Sequence, residues 1–347
     1  MNRLVNGSGE MRAIKLKDVA FHAGCSPATV SRALNGNPNV GPREREKVLA
    51  AAAHLGYIPN HSARALRSQS TNLVGVIIPT LDHAIYARMV SGLEERLAHE
   101  GLSVIISTTE YDLARELVQA KILVGRGVES VVMVGQEHSI ETTDYLRRAG
   151  VDQVLTYTSE LGSANASVGF DNGGAAAIVA SYLLDLGHRR FGMIAGVTRG
   201  NDRATQRRDG FVNALLDAGI AQQEIIVLEA PYRTENGHEA MKSLMQTYPR
   251  PTAIFCGSDI LAVGGIKYCR MAGISVPEDV SIVGFDNLEM ASLVMPELTT
   301  VDVPAREMGR STGEALLRLR MQTDQAIVVE LATRLIVRET TGAPKAQ

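Results

Sequence analysis

At 347 residues the chain is too long for one small core and fits two or three domains. Apolar residues make up 45% and charged residues 21%, the profile of an ordinary soluble globular protein, and the longest apolar runs, such as Leu73–Ile78, are too short to span a membrane. The net charge of −3 hides an asymmetry: residues 1–70 carry ten Lys and Arg against four Asp and Glu, a balance of +6, which leaves −9 on the remainder. A basic head on an acidic body suits contact between that head and a phosphate backbone, and suits a merely solvated basic face equally well. The opening MNRLVNGSGE has neither the apolar core nor the cleavage site of a secretory signal, so residues 1–13 are expected as a flexible tail. Cys25, Cys256 and Cys269 are odd in number and lack metal-ligand spacing, which fits a reduced cytoplasmic compartment.

From Ile14 the pattern becomes dense. Leu16, Val19, Ala20 and Ala23 make a narrow helical stripe, and Gly24 offers a turn at positive φ. Ser26 then stands as an N-cap with Pro27 at the first position of a second helix through Leu34, which turns Val30 and Leu34 inward. Asn35 to Asn39 is turn chemistry, and Gly41-Pro42 opens a third helix with Val48, Ala52 and Leu55 inward and Gly56 at its end. Two short helices across a Gly-containing turn, with a third packed over them, are helix-turn-helix architecture. The alternative is a small helical bundle that binds nothing. The outer face of the second helix (Pro27, Ala28, Thr29, Ser31, Arg32) favours the former: it is small and polar, with one guanidinium able to fork onto a guanine in a major groove.

Beyond Asn72, strand-like runs alternate with amphipathic helices. Leu73–Ile78, Ser103–Ser107, Ser130–Val134 and Gln153–Tyr157 read as strands, separated by helices at Tyr86–His99, Leu113–Gly125 and Glu141–Ala149. A second block has strands at Phe191–Ala195, Ile225–Glu229, Ala253–Cys256 and Ser281–Phe285. The alternation predicts two lobes, each a parallel sheet covered by helices, with ligand bound beyond the carboxyl ends of the strands. Phe170-Asp171-Asn172, Asn201-Asp202-Arg203 with Arg207, Tyr232, Gly257-Ser258-Asp259 and Phe285-Asp286-Asn287 follow such runs. Each Asp or Asn there also suits a helix cap, and Asp259 and Asn172 are read as caps or braces. The cluster as a whole suits a polyhydroxylated ligand.

The run Leu16-Lys17-Asp18-Val19-Ala20 … Ala23-Gly24-Cys25-Ser26 … Thr29-Val30-Ser31-Arg32-Ala33-Leu34-Asn35 resembles the head of the LacI/GalR family of bacterial transcription regulators. So do Arg45-Glu46-Lys47-Val48 … Leu55-Gly56-Tyr57-Ile58-Pro59-Asn60 and Ala63-Arg64-Ala65-Leu66, and Gly169-Phe170-Asp171-Asn172 and Val283-Gly284-Phe285-Asp286-Asn287 resemble its ligand-binding core. The resemblance implies an all-α helix-turn-helix head followed by an α/β periplasmic-binding-protein-like body of two parallel-sheet lobes. The implied domains are a head at 14–59, a hinge helix at 60–70 and an effector-binding body at 71–347. Its first lobe spans about 71–171 and 304–331, and its second about 172–303 and 332–342.

It also implies roles for single residues. Pro27, Ala28 and Arg32 would face base edges; Lys15, Lys17, Ser26, Thr29, Ser31, Asn35 and Asn39 would lie on or beside phosphates. In the hinge, Asn60, Arg64 and Arg67 would touch DNA, and Leu66 would be the wedge that unstacks a minor-groove step. Val40-Gly41-Pro42 replaces the family's usual Val-Ser before the third helix and removes a hydroxyl. In the body, Arg207 and Asp286 match ligand-holding positions, Tyr232 a stacking position, and Tyr86 and Asp171 pocket positions. Ser258 stands where some sugar-binding members carry Asn, and Asp202-Arg203 adds an arginine near the pocket. The extra arginine points to a sugar acid or another anionic ligand.

No catalytic constellation, cofactor fingerprint or metal spacing is legible. Gly309-Arg310-Ser311-Thr312-Gly313 matches a nucleophile-elbow pattern but lies in a helical run. Gly125-Arg126-Gly127 lacks the third glycine of a dinucleotide loop, and His188, after Gly187, reads as a helix C-terminal cap. Three functions compete: a ligand-switched repressor on operator DNA, a solute-binding protein, which would need an export signal and no head, and a sugar-processing enzyme, which would need a catalytic set. A homodimer on a pseudo-palindrome is expected, with Tyr86–His99 and Leu113–Gly125 at its interface and no tetramerising heptad tail.

Overall fold

The computed structural model describes residues 3–5, 11–58, 70–321 and 325–345, and the chain divides into compact units after Thr71. In the first unit, three helices form at the sequence-predicted places: α1 (Leu16–Ala23), α2 (Pro27–Leu34) and α3 (Pro42–Leu55). Gly24 ends α1 at φ 64°, and Ser26 caps α2 by accepting from the Thr29 amide at 3.0 Å. Val19, Ala20, Val30, Ala33, Val40, Val48, Ala51 and Ala52 are buried together. Each buried valine contributes roughly 1.5–3 kcal/mol, so these few side chains carry the stability of the head. The tail expected to be flexible contains a short antiparallel pair, β1 (Arg3–Val5) against β2 (Met11–Ala13).

The second unit holds two six-stranded sheets. The first, in the order β13-β7-β6-β5-β3-β4, is parallel throughout. It comprises β3 (Leu73–Ile78), β4 (Ser103–Thr108), β5 (Ser130–Val134), β6 (Asp152–Thr156), β7 (Ala166–Gly169) and β13 (Ile327–Glu330). With it belong α4 (Ala84–Ala98), α5 (Leu113–Gly125), α6 (Ile140–Arg148) and α11 (Ala305–Arg320). The second sheet runs β14-β12-β11-β10-β8-β9, parallel except where β14 meets β12. Its strands are β8 (Phe191–Gly196), β9 (Ile225–Ala230), β10 (Ala253–Cys256), β11 (Ser281–Asp286), β12 (Thr299–Asp302) and β14 (Arg334–Ile336). Its helices are α7 (Asn172–Asp185), α8 (Asp202–Asp217), α9 (Thr234–Met245) and α10 (Asp259–Ala272).

The chain passes between the sheets after β7, after β12 and after β13, so each lobe is closed by strands from distant sequence. Those closing strands, β7, β12, β13 and β14, have three or four residues each and went unread in sequence, being too short to show a period. In each lobe the first strand, β3 or β8, has the next strand on one side and the following one on the other. This is a topological switch point, and it opens a crevice at the carboxyl ends of the strands. No helix among the described residues is long and apolar enough to cross a membrane.

Candidate functional site

Two surfaces carry the sequence-predicted site residues. In the head, Pro27, Ala28, Arg32, Asn35 and Asn39 are exposed, as are Lys15, Lys17 and Ser26, while Thr29 is half-buried. Ser26 and Thr29 also bond to each other, hydroxyl to hydroxyl at 2.9 Å. Ser31 departs from the expected outer face: it is only 7% exposed, and the Asn35 amide donates to its carbonyl oxygen at 2.7 Å. Position 31 shares the buried side of α2 with Val30 and Ala33, so Ser31 belongs to the interior of the head. Asn60, Arg64, Leu66 and Arg67 lie outside the described residues.

In the body a pocket sits between the carboxyl ends of the two sheets. From the first lobe come His83, Ile85 and Tyr86 after β3, Tyr111 after β4 and Tyr157 after β6. From the second come Asn201, Arg203 and Arg207 after β8, Tyr232 after β9, Ser258 and Ile260 after β10, and Asp286 with Leu288 at the end of β11. Of the expected ligand residues, Tyr86, Arg203, Arg207, Tyr232, Ser258 and Asp286 are thus gathered into one place.

Two expected residues are not. Asp171 caps α7, accepting from the Gly174 amide at 2.8 Å, and Asp202 turns away to accept from the Gln136 amide at 2.9 Å. In both, the carboxylate satisfies a nearby backbone donor that would otherwise be unpaired. Asn172 and Asp259 serve as the braces foreseen for them. Asn172 donates to Tyr157 O at 2.9 Å, and Asp259 accepts from the Leu288 amide at 2.7 Å and the Thr300 hydroxyl at 2.5 Å. His188 is not a side-chain helix cap: its ring reaches Thr252 Oγ1 at 2.9 Å and Gly342 O at 3.0 Å, tying down the end of the chain.

Arg207 is held by three partners. Nε donates to Asn172 Oδ1 at 3.0 Å, Nη1 to Gly257 O at 2.7 Å, and the guanidinium lies 4.3 Å from the centre of the Phe285 ring. Asp286 faces it. Burial pushes that carboxyl up to about 7, against the opposing pull of the Arg207 and Arg88 charges. Behind it, burial first and then the Asp286 charge push Asp259 up to about 8. The opposite wall is aromatic. His83 and Tyr86 stack, Tyr232 meets His83 edge-on at 5.4 Å, and Tyr157 meets Tyr86 edge-on at 5.4 Å. The Tyr86 and Tyr111 hydroxyls lie 3.3 Å apart. Donors and acceptors at one end and ring faces at the other are the polar and apolar surfaces that a small-molecule pocket presents.

Sequence reading missed His83, Ile85, Tyr111, Tyr157, Ile260 and Leu288. Proximity to strand ends could have found Tyr111. Tyr157 was counted into a strand because nothing in sequence shows that it turns at φ 61°. Tyr111 (φ 61°) and Asp286 (φ 112°) share that uncommon backbone region. Strain concentrated around one pocket marks a place where side-chain aim outweighs local comfort.

Known proteins match both parts of the chain. Residues 15–60 match the model described as bacterial regulatory proteins, lacI family, and residues 180–341 the periplasmic binding protein-like domain. Catabolite control protein A from Priestia megaterium is 32% identical, covering 94% of this chain and 99% of its own. A solved Silicibacter pomeroyi regulator of the same family is 28% identical with a TM-score of 0.85, covering 95% of this chain and 99% of its own. The lac repressor dimer, solved bound to operator and the anti-inducer ONPF, is 26% identical with a TM-score of 0.83, covering 96% of this chain and 100% of its own.

Proposed function

Because the chain belongs to the LacI family of bacterial regulatory proteins, transcriptional repressors rather than enzymes, we propose that it is an effector-switched repressor of carbohydrate-catabolism genes. It binds a pseudo-palindromic operator as a cytoplasmic homodimer, because one small head contacts too few bases for specificity. Arg32, with Pro27 and Ala28, reads base edges; Lys15, Lys17, Ser26, Thr29, Asn35 and Asn39 position the head on phosphates. The hinge residues Asn60, Arg64, Leu66 and Arg67 complete the contact.

The observation that carries the effector reading is the convergence of Arg207, Asp286, Ser258, Tyr86 and Tyr232 on one pocket at the switch point of both sheets. A sugar acid was expected because of Arg203, yet Arg203 Nη1 is 2.6 Å from Asp202 Oδ1, so that charge is already compensated. A neutral, hydroxyl-bearing effector is therefore favoured: Asp286 accepts from hydroxyls, Arg207 donates to them and the tyrosines cover the ring. Effector binding changes the closure of the two lobes, and the hinge segment responds.

A gel shift on a palindromic site across a salt series tests the DNA half. Steep loss of binding with salt and its abolition on removing residues 1–70 are expected. Calorimetry with neutral monosaccharides and with sugar acids tests the other half; tight binding of acids alone would overturn the neutral assignment.

A further inference from the structure

Asp202 and Arg203 open α8 in the second lobe, and both commit polar atoms to the first. Arg203 Nη1 donates to Val134 O at 3.0 Å, and Asp202 Oδ2 accepts from the Gln136 amide at 2.9 Å. Between these two contacts the pair is closed on itself at 2.6 Å, with the side chains only 4% and 14% exposed. The turn that receives them is braced inside its own lobe. His138 reaches Glu116 Oε2 at 2.8 Å through Nδ1 and Gly135 O at 3.0 Å through Nε2, and Gln136 Nε2 donates to Glu160 Oε2 at 3.0 Å. Gly135 itself sits at φ 84°, and a Cβ there would overlap Arg203 Nη1 and Asp202 Oδ1. Only glycine satisfies both the backbone angle and the approach.

This set of contacts behaves differently from a surface ion pair. When the lobes meet, the Asp202 and Arg203 charges are desolvated but paired, and each also bonds to a backbone group, the arrangement in which a buried pair holds. When the lobes part, water takes over the two bonds that cross between them, Arg203 to Val134 O and Gln136 N to Asp202. We propose that Asp202, Arg203 and the Val134–Gln136 turn form an interlobe latch that sets the closure of the effector pocket. Asp202 and Arg203 are then positioning residues: they act on the effector through the spacing of the walls. At another place where the lobes meet, Arg88 Nη1 donates to Asn287 O at 3.0 Å, and no carboxylate among the described residues is bonded to its guanidinium.

The consequence for regulation rests on the reading of this cleft as the effector site. The latch itself is tested without DNA or effector, so either can fail alone. Hydrogen exchange on the full-length chain reads the Gln136 amide directly. Arg203→Met keeps the aliphatic stem and removes the charge, and Asp202→Asn keeps the shape. Both should speed exchange at Gln136 by about tenfold or more, the size expected for loss of a charge-assisted bond. Amides of β8 (Phe191–Gly196), in the core of the second lobe, should keep wild-type rates, which separates opening from global loss of fold. Arg203→Met should also enlarge the radius of gyration in small-angle scattering. Gly135→Ala should speed Gln136 exchange in the wild-type chain and add less to Arg203→Met, since the overlap with the guanidinium is then gone while that with Asp202 Oδ1 remains. Unchanged exchange at Gln136 in Arg203→Met and Asp202→Asn, or strict additivity of Gly135→Ala with Arg203→Met, would overturn the latch.

Discussion

The guanidinium of Arg207 lies over the ring of Phe285, 4.3 Å from its centre, while Asn172 and Gly257 hold two of its nitrogens. The side chain is therefore aimed before any effector arrives, and little rotamer freedom remains to be lost on binding. Arg207→Ala should weaken effector binding by about 2–5 kcal/mol, since it also strips Asp286 of its facing charge. Arg207→Lys should not restore it, because an ammonium cannot bond both partners while stacking. Calorimetry with the sugar selected by the neutral panel checks this; near-wild-type affinity in the lysine variant would contradict a role for the planar fork.

Asp286 makes a pH prediction. Its carboxyl rises from the ordinary carboxylate value of 3.8 to about 7 on folding, so the folded chain holds a proton that the unfolded chain has released. Its contribution to stability is fully present below about pH 4 and is lost as pH rises toward 7. Asp286→Asn removes the penalty of charging the buried group. Thermal melts should show the variant gaining on wild type at pH 8, by an amount on the order of a few kcal/mol, and gaining much less at pH 5. An equal difference at both pH values would remove Asp286 as the titrating group.

In the head, Arg32 and Lys17 are both exposed, yet their substitutions should behave differently. Arg32→Ala should cost about 1–3 kcal/mol on the operator and relax specificity at one base pair. Lys17→Ala should weaken all sequences alike and lower the salt slope by about 1. Competition gel shifts with operator and random DNA at several salt concentrations separate the two patterns.

Leu66 lies outside the described residues, and its role rests on sequence resemblance. Leu66→Ala should weaken operator binding far more than non-specific binding, because a wedge matters only where the duplex is kinked. Equal losses on the two DNAs would contradict the wedge.

On α5, Val118 and Ile122 are four residues apart and 54% and 43% exposed, beside the 40% exposed Ile106 of the edge strand β4. An apolar stripe of this kind suits a partner copy. Val118→Asp combined with Ile122→Asp should shift the protein to monomer in sedimentation equilibrium and weaken operator binding with it. A wild-type dimer profile in the double variant would move the interface elsewhere.

By itself, the sequence determined the helical head, the basic-to-acidic division, the alternation of strands and helices and the family. All of these rest on local periodicity, capping residues and turn chemistry, which act over a few neighbouring positions. It also named Arg203, Arg207, Tyr232, Ser258 and Asp286, because residues after strand ends converge wherever parallel sheets open, and Tyr86 through the family resemblance. Only the tertiary structure decided what those residues face. Asp171 and Asp202 look alike in sequence, yet one caps its own helix and the other crosses to the opposite lobe. Tyr111 and Tyr157 join the pocket through positive φ angles that no residue pattern announced, and Arg203 proved to be paired with its own neighbour. These outcomes depend on distances between segments far apart in the chain, which form only when both sheets have closed.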